Sequence, residues 1–170
     1  LRIPTAPNAA LDVGADDDSV RLTTISGDDT ASATSSNASL FLGIASTGGA
    51  TSFTVLNAEG LRLDTLGGDD TLSSVGITAA STVDEVVLVG GDGDDTLTTG
   101  VGSVQLQGNA GTNEFNGGAA DDVVITASET DDISLGSGNN RVLDTSSLRS
   151  GGRTVANGIG NDTWYLGQYP

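Results

Sequence analysis

A nine-residue period between residues 90 and 143 constrains the fold of this chain more than any other feature. Read from Gly90 without an insertion, the six frames are GGDGDDTLT, TGVGSVQLQ, GNAGTNEFN, GGAADDVVI, TASETDDIS and LGSGNNRVL. The eighth position is apolar in all six frames, and the sixth is Asp or Asn in five of them. This period fits neither an α-helix nor a coiled coil. It fits a six-residue turn followed by a three-residue strand whose middle side chain points inward.

A related pattern precedes the nonapeptides. Segments 20–32, 61–73 and 86–98 align without gaps, and each places a leucine seven residues before an aspartate. Segment 39–55 is a weaker copy, with Leu42 in the leucine position. The predicted inward ladder is Leu22, Leu42, Leu63, Leu88, Leu106, Val124, Val142 and Trp164, and the facing ladder is Leu97, Phe115 and Ile133. We therefore predict an all-β fold, a parallel β-roll or β-solenoid of about seven to eight coils. The middle coils have 18 residues, and those before them have ~20–25.

This pattern divides the chain into four predicted parts. Residues 1–19 form an extended lead-in or N-terminal cap, 20–89 form degenerate coils, and 90–143 form the nonapeptide roll. Residues 144–170 hold an insertion, a final repeat and an aromatic cap. In that last part, Trp164 and Tyr165 are expected to cover the open end of the core, with a sugar-binding platform as the alternative.

The charge of the chain limits its partners and its chemistry. The net charge is −17, and the sequence contains no Lys, His or Cys. So acidic a surface disfavours nucleic acid and anionic membranes and favours cations. Nucleophile–base pairs built on His, Cys or Lys are excluded, and the Asp-Asp doublets already have a structural explanation in the turns. We therefore expect no enzymatic activity.

Two frames carry a family resemblance. Residues 90–98 match the pattern G-G-x-G-x-D-x-U-x at every defined position, and residues 157–165 match at all but the first. The chain thus resembles the RTX (hemolysin-type) nonapeptide-repeat proteins, with degenerate copies between these two frames. The resemblance implies Ca²⁺ bound between turns two nonapeptides apart, held by sixth-position side chains and turn carbonyl oxygens.

Carried onto this chain, the resemblance implies two columns of ligands. One edge would stack Asp95, Asn113 and Asp131, extended downward to Asp70 and Asp29, and the other would stack Asp122, Asn140 and Asp162. The turn from Gly91 through Gly93 to Asp95 is the best expected site, completed by the turn above or the turn below. Val104 offers no ligand, so its turn is expected to be empty. The alternative is that Gly, Asn and Asp simply form tight turns without metal.

The sequence leaves three functions open. The first is a calcium-dependent structural or adhesive module of a secreted or cell-surface protein, such as an adhesin, a surface-layer subunit or an extracellular filament. It would stack end to end with other copies or with further coils. The second is a carbohydrate-binding RTX-like module of a polysaccharide-active enzyme, and the third is an acidic surface adapted to salt.

Overall fold

The computed structural model describes residues 10–15, 17–24, 27–46, 49–78, 81–128, 130–146 and 154–166, and this part of the chain is all-β. Its sixteen strands are β1 Ala10–Asp12, β2 Ser19–Thr23, β3 Thr30–Ser36, β4 Ser39–Ser46, β5 Gly49–Leu56, β6 Gly60–Asp64, β7 Thr71–Gly76, β8 Glu85–Asp92, β9 Thr96–Thr98, β10 Val104–Ala110, β11 Glu114–Asn116, β12 Val123–Thr126, β13 Asp132–Ser134, β14 Arg141–Asp144, β15 Thr154–Ala156 and β16 Thr163–Leu166. Among the described residues, no helix is long and apolar enough to cross a membrane.

The strands form two sheets, and the chain passes from one to the other as it winds through the solenoid. The seven-stranded sheet has the order β2-β6-β8-β10-β12-β14-β16, and every neighbouring pair in it is parallel. In the nine-stranded sheet, β3, β7, β9, β11, β13 and β15 are parallel in that order, and β4, β5 and β1 extend it beyond β3. Because the chain alternates between the two sheets from β6 to β16, the predicted β-solenoid class is confirmed.

Two ladders of apolar side chains fill the space between the sheets. Leu106 pairs with Leu88 on one side and Val124 on the other, and Val124 pairs with Val142. Facing them, Phe115 stands between Leu97 and Ile133 of the other sheet. These seven residues are buried. The inward register predicted for the nonapeptides is therefore confirmed.

The prediction that Leu42 forms a coil of its own is wrong. Leu42 is buried, but it lies in β4, which pairs antiparallel with β3 and β5. The chain reverses between β3 and β4 at Asn37, whose φ of 52° lies in the left-handed region. A hairpin thus replaces the expected coil. The coil count is lower than the predicted seven to eight, and four coils, β6–β7 to β12–β13, form the regular middle of the solenoid.

Candidate functional site

The first turn edge carries the predicted column of acidic side chains. From Asp70 onward, the Oδ1 of each column member accepts a hydrogen bond from the backbone N–H of the member one coil earlier. The distances are 2.7 Å from Asp29 N to Asp70, 3.0 Å from Asp70 N to Asp95, 3.0 Å from Asp95 N to Asn113, and 2.8 Å from Asn113 N to Asp131. All five residues are buried, with exposed fractions of 3% or less. The structure therefore brings together the whole predicted column of this edge.

The opposite edge stacks its predicted residues in the same manner. Asp122 Oδ1 accepts from Val104 N at 3.0 Å, and Asn140 Oδ1 accepts from Asp122 N at 2.9 Å. Asp162 Oδ1 accepts from Asn140 N at 3.0 Å. Val104 is buried and supplies no side-chain oxygen, so the column of side-chain oxygens begins at Asp122.

The turn glycines let successive coils approach closely. Gly91 and Gly93 have φ angles of 112° and 132°, which only glycine adopts easily. A Cβ at Gly93 would stand 2.1 Å from the carbonyl oxygen of Gly68 in the coil before. A Cβ at Gly91 would stand 2.5 and 2.6 Å from the carbonyl oxygens of Thr65 and Leu66. Glycine at these positions therefore brings main-chain oxygens of two coils to one edge.

Three carboxylates of the first edge are only half satisfied. Asp29, Asp70 and Asp95 each have a buried Oδ2 atom without a hydrogen-bond partner. These residues occupy three successive coils, and their side chains are 97% or more buried. Leaving a buried polar atom unpartnered costs about 1–3 kcal/mol, and more when the group is charged. A hydrogen-bond donor or a cation beside these three oxygens would remove this cost.

The remaining members of both columns are satisfied by hydrogen bonds. Asp131 Oδ2 accepts from the Thr126 hydroxyl, and Asp122 Oδ2 accepts from Gly118 N at 3.0 Å. The Asn113 amide donates to Asp131 Oδ1 at 3.2 Å, and the Asn140 amide donates to Asp162 Oδ1 at 3.0 Å. At these positions the protein itself supplies hydrogen-bond donors to the carboxylate oxygens, in place of a cation.

Burial raises the pKa of three carboxyl groups in these columns, those of Asp70, Asp95 and Asp122. Burial is the largest cause of the rise in the pKa of Asp95 from 3.8 to about 7, and the carboxylates of Asp70, Asp69 and Asp94 add to it. The pKa of Asp70 is raised by burial and by Asp29 and Asp28. Burial also raises the pKa of Asp122. The ionised forms of Asp70 and Asp95 on the first edge are thus disfavoured unless a positive charge is present.

An outer ladder of aspartates, which the sequence reasoning did not single out, runs beside the first column. Asp69 N donates to Asp28 Oδ1 at 3.0 Å, Asp94 N to Asp69 Oδ1 at 2.9 Å, and Thr112 N to Asp94 Oδ1 at 2.7 Å. The side chains of this ladder are exposed. The first residue of each Asp-Asp doublet was the available signal, since it precedes the buried aspartate by one position.

Asp64 is a further buried carboxylate that sequence reasoning missed. It lies on the outer face of the seven-stranded sheet and forms ion pairs with Arg21 and with Arg62, the latter at 2.9 Å. Both ion pairs found among the described residues involve Asp64. The spacing R-L-D at residues 62–64 was the available signal, because alternate residues of a strand share a face.

The first edge offers oxygen ligands of the type that hard divalent cations prefer. Within the described ranges, no group of three or more acidic, His or Cys side chains gathers around one point. A cation at this edge would therefore be held by carboxylates of successive coils together with turn carbonyl oxygens. The unpartnered Oδ2 atoms of Asp70 and Asp95 and the carbonyl oxygens beneath Gly91 are oxygens of this type, and Asp95 Oδ2 lies within its own turn, where a Cβ at Gly90 would stand 2.1 Å from it.

The aromatic pair of the last strand has two different environments. Trp164 is partly buried and packs against the apolar core. Tyr165 is 50% exposed on the outer face, and Arg141 lies over its ring, with 5.5 Å between the Arg141 Cζ and the ring centroid. The guanidinium of Arg141 thus occupies one face of the only exposed ring of the pair.

Comparison with known proteins finds no family model that matches the chain, and no curated protein or solved structure significantly similar to it.

Proposed function

We propose that this chain is a calcium-dependent structural module of a secreted or cell-surface protein, such as an adhesin, a surface-layer subunit or an extracellular filament. The observation that carries the proposal is the run of three buried carboxylate oxygens without partners, at Asp29, Asp70 and Asp95. A divalent cation would neutralise these groups and use the nearby turn carbonyls as additional ligands. The role of the chain is then mechanical, because a loaded column joins successive coils.

The electrostatic cost of the metal-free column supports this proposal. Carboxylates on adjacent coils stand about one strand spacing apart, ~4.8 Å. At that distance two like charges repel by about 1–3 kcal/mol for an effective dielectric of ~20–80. A few such pairs, together with burial of the charges, rival the ~5–15 kcal/mol that stabilises an ordinary domain. A bound cation reverses the sign of this contribution.

The resemblance to RTX repeats at 90–98 and 157–165 supports calcium as the cation and an extracellular location. RTX-like proteins fold outside the cell, where calcium is abundant, and the implied role there is binding or structural. The periodic placement of the aspartates in turns favours this role over catalysis. We therefore propose a non-catalytic module whose folding is coupled to calcium.

The test is differential scanning calorimetry of the purified protein in millimolar CaCl₂ and in excess chelator. Mass action predicts a melting temperature that rises with calcium concentration. Sodium chloride in the chelator sample is the control, because it screens repulsion without supplying a multivalent ion. Coincident melting curves with and without calcium would refute the proposal. A full recovery of stability in NaCl alone would favour salt adaptation instead.

A further inference from the structure

The apolar core of the solenoid is covered at its N-terminal end. The seven-stranded sheet ends there at β2, yet the inward side chains Val20 and Leu22 of this edge strand are buried. The hairpin strands β4 and β5 contribute Leu40, Leu42 and Val55 to the same apolar cluster. Each of these three residues is at most 1% exposed. The hairpin therefore closes this end of the core.

The C-terminal end has no such cover within the described part of the chain. Among the described strands, β15 pairs only with β13 and β16 only with β14, so both sheets end in the last coil. Ile133 is 2% exposed, whereas Val155, the next residue of the same ladder, is 38% exposed. In the other ladder, Val142 is buried and the next residue, Trp164, is only partly buried. The last coil thus leaves one side of each ladder uncovered.

The turn of the last coil shows the same difference from the middle of the solenoid. Ile159 occupies the third position of its nine-residue frame, as Val101 does in a middle coil. Ile159 is 83% exposed, whereas Val101 is 51% exposed. Tyr165 and Leu166 are exposed as well, so the last coil exposes four large apolar side chains. A cluster of exposed apolar side chains marks an interaction surface.

The last coil is also nearly uncharged. Residues 154–166 contain one acidic residue, Asp162, and no basic residue, although the whole chain contains 23 acidic residues. Two copies of the chain that meet at this end therefore bring one carboxylate each into the contact. The repulsion between like charges, which would oppose association along the acidic turn edges, is small here.

We propose that two copies of the chain associate through their C-terminal ends into a closed dimer. A twofold axis perpendicular to the solenoid axis makes this contact self-complementary. The edge strands β15 and β16 then meet strands of the second copy in antiparallel pairs, which cover the open backbone groups together with Val155 and Trp164. The N-terminal end is closed by the hairpin, so the assembly stops at two copies. This inference goes beyond the proposed function, which does not specify how copies associate.

The dimer should be weak, because the contact is only the cross-section of one coil. Stable complexes bury about 1,200–2,000 Å² in total, and smaller contacts are transient. Sodium chloride should strengthen the dimer, since it screens the long-range repulsion between two acidic chains and leaves the apolar contact in place.

Sedimentation equilibrium of the full chain in CaCl₂, from micromolar to millimolar concentration, tests the number of copies. The mean mass should rise from one copy towards two and should not exceed two. A mass that continues to rise would show open-ended stacking, in which the N-terminal end also binds. A mass that stays at one copy would show that the C-terminal end does not bind another chain. Either result would overturn the proposal.

Ile159→Glu tests the location of the contact. It should raise the dissociation constant by about tenfold or more, because it places an additional carboxylate of each copy in the contact. Val101→Glu is the matched control, since it introduces the same charge at the same frame position in a middle coil. Circular dichroism checks that both variants fold. Equal weakening by the two substitutions, or no weakening by Ile159→Glu, would contradict the assigned location.

Crosslinking identifies which ends meet, and the chain has no cysteine of its own to interfere. Ile159→Cys labels the C-terminal end, and Ser19→Cys labels the N-terminal end at an exposed position of β2. In a mixture of the two variants, a short bis-maleimide should link Ile159→Cys chains to one another and form few mixed products. Mass spectrometry separates the products. Mixed products in excess over the Ile159→Cys pairs would show that the copies associate head to tail, and the proposal would then be wrong.

Discussion

Asp95→Asn should stabilise the calcium-free protein and destabilise the calcium-loaded one. Asn keeps an Oδ1 acceptor for the backbone N–H of Asp70, so the hydrogen bond along the column is retained. Its amide would replace the unpartnered Oδ2 and could donate to the Oδ1 of Asn113, as Asn113 donates to Asp131. The substitution therefore removes a buried charge and supplies a donor, but it also removes a proposed calcium ligand.

The expected gain in the free energy of unfolding of the calcium-free protein follows from the pKa of Asp95. This pKa rises from 3.8 to about 7 in the folded protein, and each tenfold change in proton affinity corresponds to about 1.4 kcal/mol. Because the folded-state pKa is the higher one, stability is complete below about pH 4 and falls as the pH rises through 7. At about pH 8 the ionised carboxyl thus costs the folded state about 4 kcal/mol, which is the upper limit of the gain.

The assay is urea unfolding in chelator, followed by circular dichroism at about pH 8 and pH 3. The free energy of unfolding of the variant should exceed that of the unsubstituted protein by about 2–4 kcal/mol at pH 8. The difference should be less than about 0.5 kcal/mol at pH 3, where the Asp95 carboxyl is protonated in both the folded and the unfolded state. The matched control is Asp94→Asn, which changes the net charge equally at the exposed neighbouring position. The reasoning is refuted if Asp95→Asn destabilises the protein in chelator at pH 8, or if Asp94→Asn stabilises it as much. In saturating calcium the sign should reverse.

Three further predictions concern the fold and its end. Leu106→Ala should lower the free energy of unfolding in calcium by about 2–5 kcal/mol, while Gln105→Ala on the outer face should change it by less than about 0.5, as measured by urea titration. Gly93→Ala should lower the melting temperature, because its Cβ would meet the carbonyl of Gly68, whereas Gly102→Ala, where nothing lies within 4 Å, should not. Val155 faces inward in β15, the last described strand of its sheet, yet is 38% exposed, so we expect concentration-dependent end-to-end association in sedimentation velocity. Val155→Lys should weaken that association. The control Val75→Lys, at an exposed site in β7, should leave it unchanged. An unsubstituted chain that stays monomeric at high concentration would contradict the prediction.

The sequence predicted the nonapeptide coils correctly because their period determines both the turn and the inward side chain. Leu106, Val124 and Val142 recur every 18 residues, and a β-solenoid is the arrangement that stacks them. The prediction of a coil at Leu42 was wrong because a strand of a solenoid coil and a strand of a hairpin have the same alternation of apolar and polar residues. Asn37 decided between the two, and a left-handed Asn in a tight turn cannot be read from apolar spacing alone.

The membership of the two columns could also be predicted, but their hydrogen bonding could not. The stacking of Asp95 on Asp70 follows from the repeat register. Whether the second oxygen finds a donor depends on a residue outside the aspartate position, such as Thr126 before Asp131 or the backbone of Gly118 before Asp122. A motif that records only glycine, aspartate and the apolar residue leaves this difference out.

Buried carboxylates in this protein have three different kinds of surroundings, and the contrast among them supports the proposed cation. Asp64 has two arginines, whereas Asp131 and Asp122 have hydroxyl or backbone donors. In the run of Asp29, Asp70 and Asp95, the described residues supply no arginine, and the Oδ2 atom of each residue has no hydrogen-bond partner. Three such groups in adjacent coils would cost a large part of the ~5–15 kcal/mol available to a domain. Asp95, whose pKa burial raises to about 7, is neutral below that pH; at higher pH a bound cation would neutralise the run, and the turn carbonyls beneath Gly91 favour the cation.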